Sequence, residues 1–400
     1  MDHTKTGLRR LSARASEIRP APTLAIASRA RQMRLEGIDV ISFSTGEPDF
    51  DTPEPIAAAG IEAIRSGFTH YTDATGIQEL RAAVARKFVE ENGVPSTAET
   101  VLVSSGGKHA IFNVLAAIVD PGDNVIIQSP YWVSYPSLVS ILGGTPRIVE
   151  TTFEEGYRMT PAGLLAAIDE RTRCIILNSP SNPTGVMYSP DELRAFAEIA
   201  RDRGCYLLSD ELYEKIVYGT VPHFSVGSIE GMADQVITVN GVSKAWAMTG
   251  WRIGYATGPA DVIRAAGAIQ SQTTSNPTSI SQVAALAAVT NGADEAERLR
   301  CAFERRRELI LSELVDVPGF RIVSPDGAFY VFADISPLLG DRFTGSIDFS
   351  EYLLVDHAVA VVPGIAFGND AGIRISYACS DEDIRRGMER IREGVRQLIG

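Results

Sequence analysis

The sequence predicts an α/β protein, with a large domain built on a mainly parallel sheet flanked by helices and a smaller α+β domain after it. Three observations lead there. Short β-rich runs alternate with helical stretches through the middle of the chain. Most of those runs are almost continuously apolar, as strands covered on both faces are. After Ser279 the texture changes to long helical periodicity broken by isolated strands.

The strand-like runs are Val101–Ser105, Asn124–Ser129, Thr145–Glu150, Cys174–Ser179, Tyr206–Asp210, Val236–Asn240 and Arg252–Thr257, which makes a seven-stranded sheet. Helices are expected over Lys108–Val119, after Gly106-Gly107, and over Pro190–Arg203. The second opens on Ser189, an N-cap candidate followed by proline at the first helical position. Beyond Ser279, helical periodicity runs from Ile280 to Leu314, then β-like Gly319–Val323 and Ala328–Ala333. A helix at Phe349–His357, strands at Val359–Val362 and Ile373–Tyr377, and a last helix complete the smaller domain. The N-terminal arm is expected to join it.

Bulk properties narrow the function. The chain has 400 residues, ample for two domains. A net charge of −13 argues against nucleic acid, which requires a basic face to neutralise phosphates. It leaves room for small anions held by a few buried cations. No apolar run approaches the roughly 20 residues of a membrane-spanning helix. Cys174, Cys205, Cys301 and Cys379 stand singly, without a Cys-x-x-Cys pair or zinc spacing, so no metal is expected and reduced thiols in a cytoplasmic protein are the plain reading. Lys5, Arg9, Arg10, Arg14 and Arg19 lie in a short basic N-terminal stretch, read as an arm of the mature fold rather than a targeting segment.

Three clusters have the makings of a site. At Ser104-Ser105-Gly106-Gly107-Lys108 a strand turns into a helix, where free N–H groups and the helix dipole meet an anion. Leu102 and His109 rule out a Walker loop there. In the second cluster Lys244 follows an apolar strand in a loop of small residues, the setting of a desolvated, nucleophilic amine. Ser243 and Arg252 beside it are both able to donate to a phosphate. In the third, Asp210 ends a strand, and ligands of open α/β sheets collect beyond strand carboxyl ends. Singly, each of these also has an ordinary structural explanation.

Taken together, in this order along the chain, the clusters resemble the class I, fold type I aminotransferases, and the bacterial-type aspartate aminotransferases in particular. The matching stretches are Ser44–Phe50, Tyr71–Gly76, Gly106–Lys108, Ser129–Trp132, Asn178–Gly185, Ser209–Tyr213, Ser243–Arg252 and Ile373–Tyr377, spanning from about Pro20 to the C-terminus. The resemblance implies an N-terminal arm and part of the small domain over 1–50, a large cofactor-binding domain over 51–294 and a C-terminal small domain over 295–400. It implies pyridoxal 5′-phosphate as cofactor, carried as a Schiff base on Lys244. Asp210 is then the partner of the pyridine nitrogen. Tyr213 and Asn182 serve the ring's phenolic oxygen, and Trp132 stacks on the ring. Gly106, Gly107, Lys108, Ser243 and Arg252 hold the phosphate, with Tyr71 reaching it from the partner subunit of a homodimer with shared active sites.

Arg374 resembles the arginine that grips the substrate α-carboxylate, assisted by Asn182 and the backbone of Gly46. Many relatives read a side-chain carboxylate with a partner-subunit arginine near Ser271–Asn276; this chain has no Arg or Lys in that segment. It resembles instead the subgroup that uses the lysine of Gly-Gly-Lys, here Lys108. The implied reaction is ping-pong transfer of an amino group between L-aspartate and 2-oxoglutarate; a prephenate or aromatic aminotransferase is the alternative. Relatives also have cis prolines at two places, implying cis bonds at Ser129-Pro130 and Asn182-Pro183.

Overall fold

The structure, a computed structural model, describes Ser12 and residues 22–399. Most of the expected arm, with Lys5, Arg9, Arg10, Arg14 and Arg19, lies outside the described residues.

In chain order the strands are β1 (Ile41–Ser42), β2 (Val101–Ser104), β3 (Asn124–Ser129), β4 (Thr145–Glu150), β5 (Thr172–Asn178), β6 (Tyr206–Asp210), β7 (Val236–Gly241), β8 (Gly254–Thr257), β9 (Arg321–Ile322), β10 (Tyr330–Asp334), β11 (Val359–Ala360), β12 (Val362–Pro363) and β13 (Gly372–Ser376). Seven of them form one sheet in the order β2-β8-β7-β6-β5-β3-β4. Only β8 runs against its neighbours, so the sheet is mainly parallel. Its central strands are buried on both faces, from Val125–Ile127 through Cys174–Leu177 to Leu207–Leu208, which is why they read as continuous apolar runs. The edge strand β4 is partly exposed and correspondingly mixed.

The helix Pro190–Arg203 starts where its cap predicts. Ser189 Oγ accepts from Glu192 N at 3.2 Å while Glu192 Oε2 accepts from Ser189 N at 2.8 Å, a reciprocal capping box.

A second, antiparallel sheet has the order β12-β13-β10-β9. Its core gathers Leu299, Phe303 and Ile310 from the helix Ala293–Leu314, Ile384 and Ile391 from the helix Asp381–Ile399, and Ile41 and Phe43 from the N-terminal side. Strand β1 pairs in parallel with β11, Ile41 opposite Val359, so the residues after the helix Pro22–Leu35 are built into this second unit.

Several expectations are corrected. The periodic run Ile280–Leu314 is two helices, Ser279–Asn291 and Ala293–Leu314. The break is Gly292, whose carbonyl accepts the Trp246 indole N–H at 2.7 Å and where a Cβ would lie 2.5 Å from the indole nitrogen. Val359–Val362 divides between two sheets, β11 pairing with β1 and β12 with β13. The strand expected from Arg252 begins at Gly254, because Arg252 sits at φ 58°, outside the extended region. Among the described residues the cis bonds are Ser129-Pro130 and Ser179-Pro180, not Asn182-Pro183. The second falls directly after β5, where the chain leaves the sheet, while Asn182-Pro183 sits inside a turn closed by Gly185 N donating to Ser181 O at 2.8 Å.

Candidate active site

The parallel strands deliver their carboxyl ends to one edge in register. Asn178 at the end of β5 lies opposite Asp210 at the end of β6, and Asp210 lies opposite Val239 of β7. A cleft of about 780 Å³ opens beyond them, bounded on its other side by Tyr330 of β10 and Arg374 of β13. Of the residues expected at a site, Gly46, Lys108, Trp132, Asn182, Asp210, Tyr213, Lys244 and Arg374 all line this cleft.

Asp210 is 3% exposed. Its carboxylate accepts from Tyr135 Oη at 2.5 Å and from Leu212 N at 3.3 Å, both neutral donors. Burial pushes its pKa up to about 6. Asn178 ties the neighbouring backbone together, donating from Nδ2 to Asp210 O at 3.0 Å and accepting from Asn182 N at 2.8 Å. Lys244 reaches across the cleft to donate to Gly46 O at 2.6 Å. Desolvation, then the charges of Arg374 and Arg252, bring its ammonium down to about 8, within reach of the neutral, nucleophilic form at ordinary pH.

The Gly106–Lys108 turn has the form of an anion cradle. No side chain caps the helix that starts at Gly107, and Gly106 is in the left-handed region at φ 92°. A Cβ on Gly106 would fall 2.4 Å from Arg252 Nη2, so the guanidinium lies directly on the turn. A Cβ on Gly254 would fall 2.2 Å from Gly107 N, so glycine there lets β8 pack against the turn. Ser243 is buried beside Lys244. Lys108 Nζ stands 5.2 Å from the centre of the Trp132 ring, and burial, then Arg252, lowers its pKa.

Arg374 is 5% exposed. Its Nη1 donates to Asn182 Oδ1 and its Nη2 to Ser44 O, each at 3.0 Å, while Nε has no partner. No carboxylate pairs with it among the described residues. A buried guanidinium held by neutral acceptors, with a donor left over, is a site waiting for an anion. Tyr71 does not line the cleft of its own chain; it is 89% exposed.

Sequence reasoning missed Tyr135 and Tyr330. Each opens its element, a helix from Tyr135 and β10 from Tyr330, where a buried tyrosine reads as core, and only the fold brings their hydroxyls to Asp210 and Tyr213.

The donor set suits pyridoxal 5′-phosphate. It offers a desolvated amine for an aldehyde, a buried carboxylate lacking a cation for a protonated ring nitrogen, and an uncapped helix start with an arginine for a phosphate.

Residues 38–391 match the family model for aminotransferase class I and II. The aspartate/prephenate aminotransferase of Cereibacter sphaeroides is 46% identical over 389 residues, covering 95% of this chain and 97% of its own. The aspartate aminotransferase of Bacillus sp. strain YM-2 is 44% identical over 383 residues, covering 95% of this chain and 98% of its own. Among solved structures, the Thermus thermophilus aspartate aminotransferase with maleate superposes with a TM-score of 0.92 at 44% identity, covering 97% of this chain and all of that one. With matches this long and a cleft that suits the cofactor, the chain belongs to the class I and II aminotransferases.

Proposed function

We propose that the protein is an aspartate aminotransferase, moving an amino group reversibly between L-aspartate and 2-oxoglutarate in a ping-pong cycle. The observation that carries the reading is Arg374, buried and unpaired, in one cleft with Lys108 and Lys244. Cations in that cleft (Arg31, Arg34, Lys108, Lys244 and Arg374) outnumber the carboxylates Glu47 and Asp210, although the whole chain is strongly acidic. Dicarboxylates suit such a place.

When bound, pyridoxal 5′-phosphate supplies an electron sink that acidifies the Cα–H of an amino acid. Asp210 would hold a proton on the ring nitrogen by ion pairing. Tyr213 and Asn182 would serve the phenolic oxygen, and Trp132 the ring. The turn of Gly106, Gly107 and Lys108, with Ser243 and Arg252, would hold the phosphate. Arg374 takes the substrate α-carboxylate in a forked contact, with Asn182 and Gly46 completing it. Lys244 Nζ is the group that would take the proton from Cα and pass it to C4′ of the cofactor, and the lowered basicity of its amine keeps it ready to do so. Lys108 reads the distal carboxylate.

The same reading makes the protein a cytoplasmic homodimer in which Tyr71 of one subunit serves its neighbour. It also divides the chain at about residues 50 and 294 into an arm, a cofactor domain and a small domain.

Prephenate is the second acceptor to consider, because several similar proteins bear the double name aspartate/prephenate aminotransferase. Initial rates with aspartate, glutamate, alanine and prephenate distinguish these activities. Lys108→Ala is expected to cut kcat/KM for aspartate roughly 10- to 100-fold, the scale of one charge-assisted contact, and to change alanine far less. Equal losses for both substrates would remove Lys108 from substrate recognition.

A further inference from the structure

Tyr330 stands between two groups that the proposed function uses for separate tasks. It lies on β10 opposite Ser376, two pairs along from Phe332 and Arg374, so Tyr330 and Arg374 are diagonal neighbours on one face of the antiparallel sheet. Its hydroxyl is 2.9 Å from that of Tyr213, and the two rings meet edge to face with centres 5.8 Å apart. Its ring centre is 4.4 Å from Arg374 Cζ, and Phe367 flanks the same guanidinium at 5.1 Å. Tyr330 is fully buried yet lines the cleft.

We infer that Tyr330 is a positioning residue with two separable actions, its hydroxyl orienting the Tyr213 hydroxyl and its ring face holding the unpaired charge of Arg374. The inference rests on the roles given to Tyr213 and Arg374 above.

Between two hydroxyls at 2.9 Å, one donates and the other accepts. An anionic oxygen in the cleft fixes the order, because an anion is the stronger acceptor. Tyr213 then donates to the anion, and Tyr330 donates to Tyr213. A hydroxyl that accepts a hydrogen bond becomes a better donor, so Tyr330 strengthens the bond that Tyr213 makes. The other charged groups facing Tyr213 are Arg374, Asp210 and Lys244, whose Nζ is 5.8 Å from the Tyr213 ring centre; all three remain in every variant below. The ring acts separately. Arg374 has no carboxylate partner among the described residues, and a desolvated guanidinium gains from each aromatic face near it.

The experiment uses cofactor-loaded protein with Tyr330→Phe, Tyr330→Leu and Tyr213→Phe, and reads two quantities other than turnover. One is the pH midpoint of the visible absorption band; the other is the dissociation constant for maleate, a dicarboxylate without an amino group. Tyr330→Phe removes only the hydroxyl, and is expected to raise the midpoint by about half a pH unit, a roughly threefold change in the proton equilibrium. Its maleate affinity stays within about twofold, because the aromatic face remains. Tyr330→Leu raises the midpoint similarly and weakens maleate about five- to thirtyfold, the scale of a desolvated cation–π contact.

If Tyr213→Phe moves the midpoint and Tyr330→Phe does not, the inference about the hydroxyl is overturned while the role of Tyr213 stands. If Tyr213→Phe moves nothing, that role fails and takes the inference with it. Equal maleate affinity in the Phe and Leu variants overturns the ring's part. A melting curve shows whether the Leu variant is folded at the assay temperature; Tyr330→Met, whose longer unbranched side chain adapts to an irregular space, replaces it if it is not.

Discussion

Asp210 shows how the cleft trades stability for chemistry. Its carboxylate has neutral hydrogen-bond donors but no cation in contact, and burial raises its pKa to about 6 against an ordinary value of 3.8, although the charge of Lys244 acts the other way. Between those two values the folded protein binds a proton that the unfolded chain does not, so stability falls as pH rises through this window. Above pH 6 the cofactor-free protein holds an ionised carboxylate only partly compensated by Lys244, a cost that a cation in contact would remove. Asp210→Asn is therefore expected to raise the melting temperature of the cofactor-free protein at pH 8. At pH 5, inside that window, the difference should be smaller, and it should vanish only below about pH 3.8, where the carboxyl is protonated in the folded and the unfolded chain alike. The same variant should lose at least about 100-fold in transamination, since an amide cannot pair with a protonated ring nitrogen. Thermal melts at the two pH values check the first claim; a variant that melts lower at pH 8 contradicts it. The complementary substitution, Lys244→Ala, should fold but lose the visible band and nearly all turnover. Asp210, at the end of an apolar strand, and Lys244, in the loop after one, were candidates in the sequence, and the family resemblance singled them out. Tyr135 and Tyr330 were not, because a tyrosine opening a helix or a strand gives no sign of where its hydroxyl points.

Among the elements, the strand–helix turn at Gly106 depends on neighbours distant in sequence. Gly241 of β7 lies opposite Gly254 of β8, and Gly254 lies opposite Ser104 at the end of β2. The Cβ of an alanine at 254 would meet Gly107 N at 2.2 Å and the carbonyl carbon of Gly106 at 2.5 Å, backbone atoms that cannot rotate aside. Gly254→Ala should displace the turn, costing about 1–3 kcal/mol of stability and weakening cofactor binding. Gly250→Ala, where a Cβ meets nothing within 4 Å, is the control and should change neither. Spectral titration with pyridoxal 5′-phosphate measures the effect, and unchanged affinity in Gly254→Ala would detach the turn from the phosphate. The large sheet was readable from sequence because strands buried on both faces are written as unbroken apolar runs, and all seven were found within two residues of their ends. The helix break at Gly292 was missed because helical periodicity continues across it, although Asn291-Gly292 followed by Asp294 and Glu295 is a stop-and-start signal. The Trp246 indole, 46 residues away, packs against the break. The split of Val359–Val362 escaped for a similar reason, since all four residues are buried and both strands carry the same apolar signal.

At the scale of the whole molecule, the exposed Tyr71 and the cleft it fails to reach belong to one question. A large aromatic side chain 89% exposed on a single chain gains nothing there from burial. In the proposed dimer it completes the neighbour's phosphate site, a two-fold arrangement in which each subunit lends a residue to the other. Tyr71→Phe should then weaken cofactor retention, but that loss alone does not say which subunit's site has been damaged. A mixed dimer does. One subunit carries Tyr71→Phe with Lys244 intact; its partner carries Lys244→Ala with Tyr71 intact. Two different affinity tags isolate the mixed species. If Tyr71 crosses the interface, the only site able to form the visible band has an intact Lys244 from one subunit and an intact Tyr71 from the other. Retention of the band through dialysis should then match the wild-type protein, at half its amplitude. If Tyr71 served its own chain, the same site would keep its phenylalanine and lose cofactor as fast as the Tyr71→Phe homodimer. Loss at that faster rate, or sedimentation of the active protein as a monomer, would overturn the shared-site arrangement.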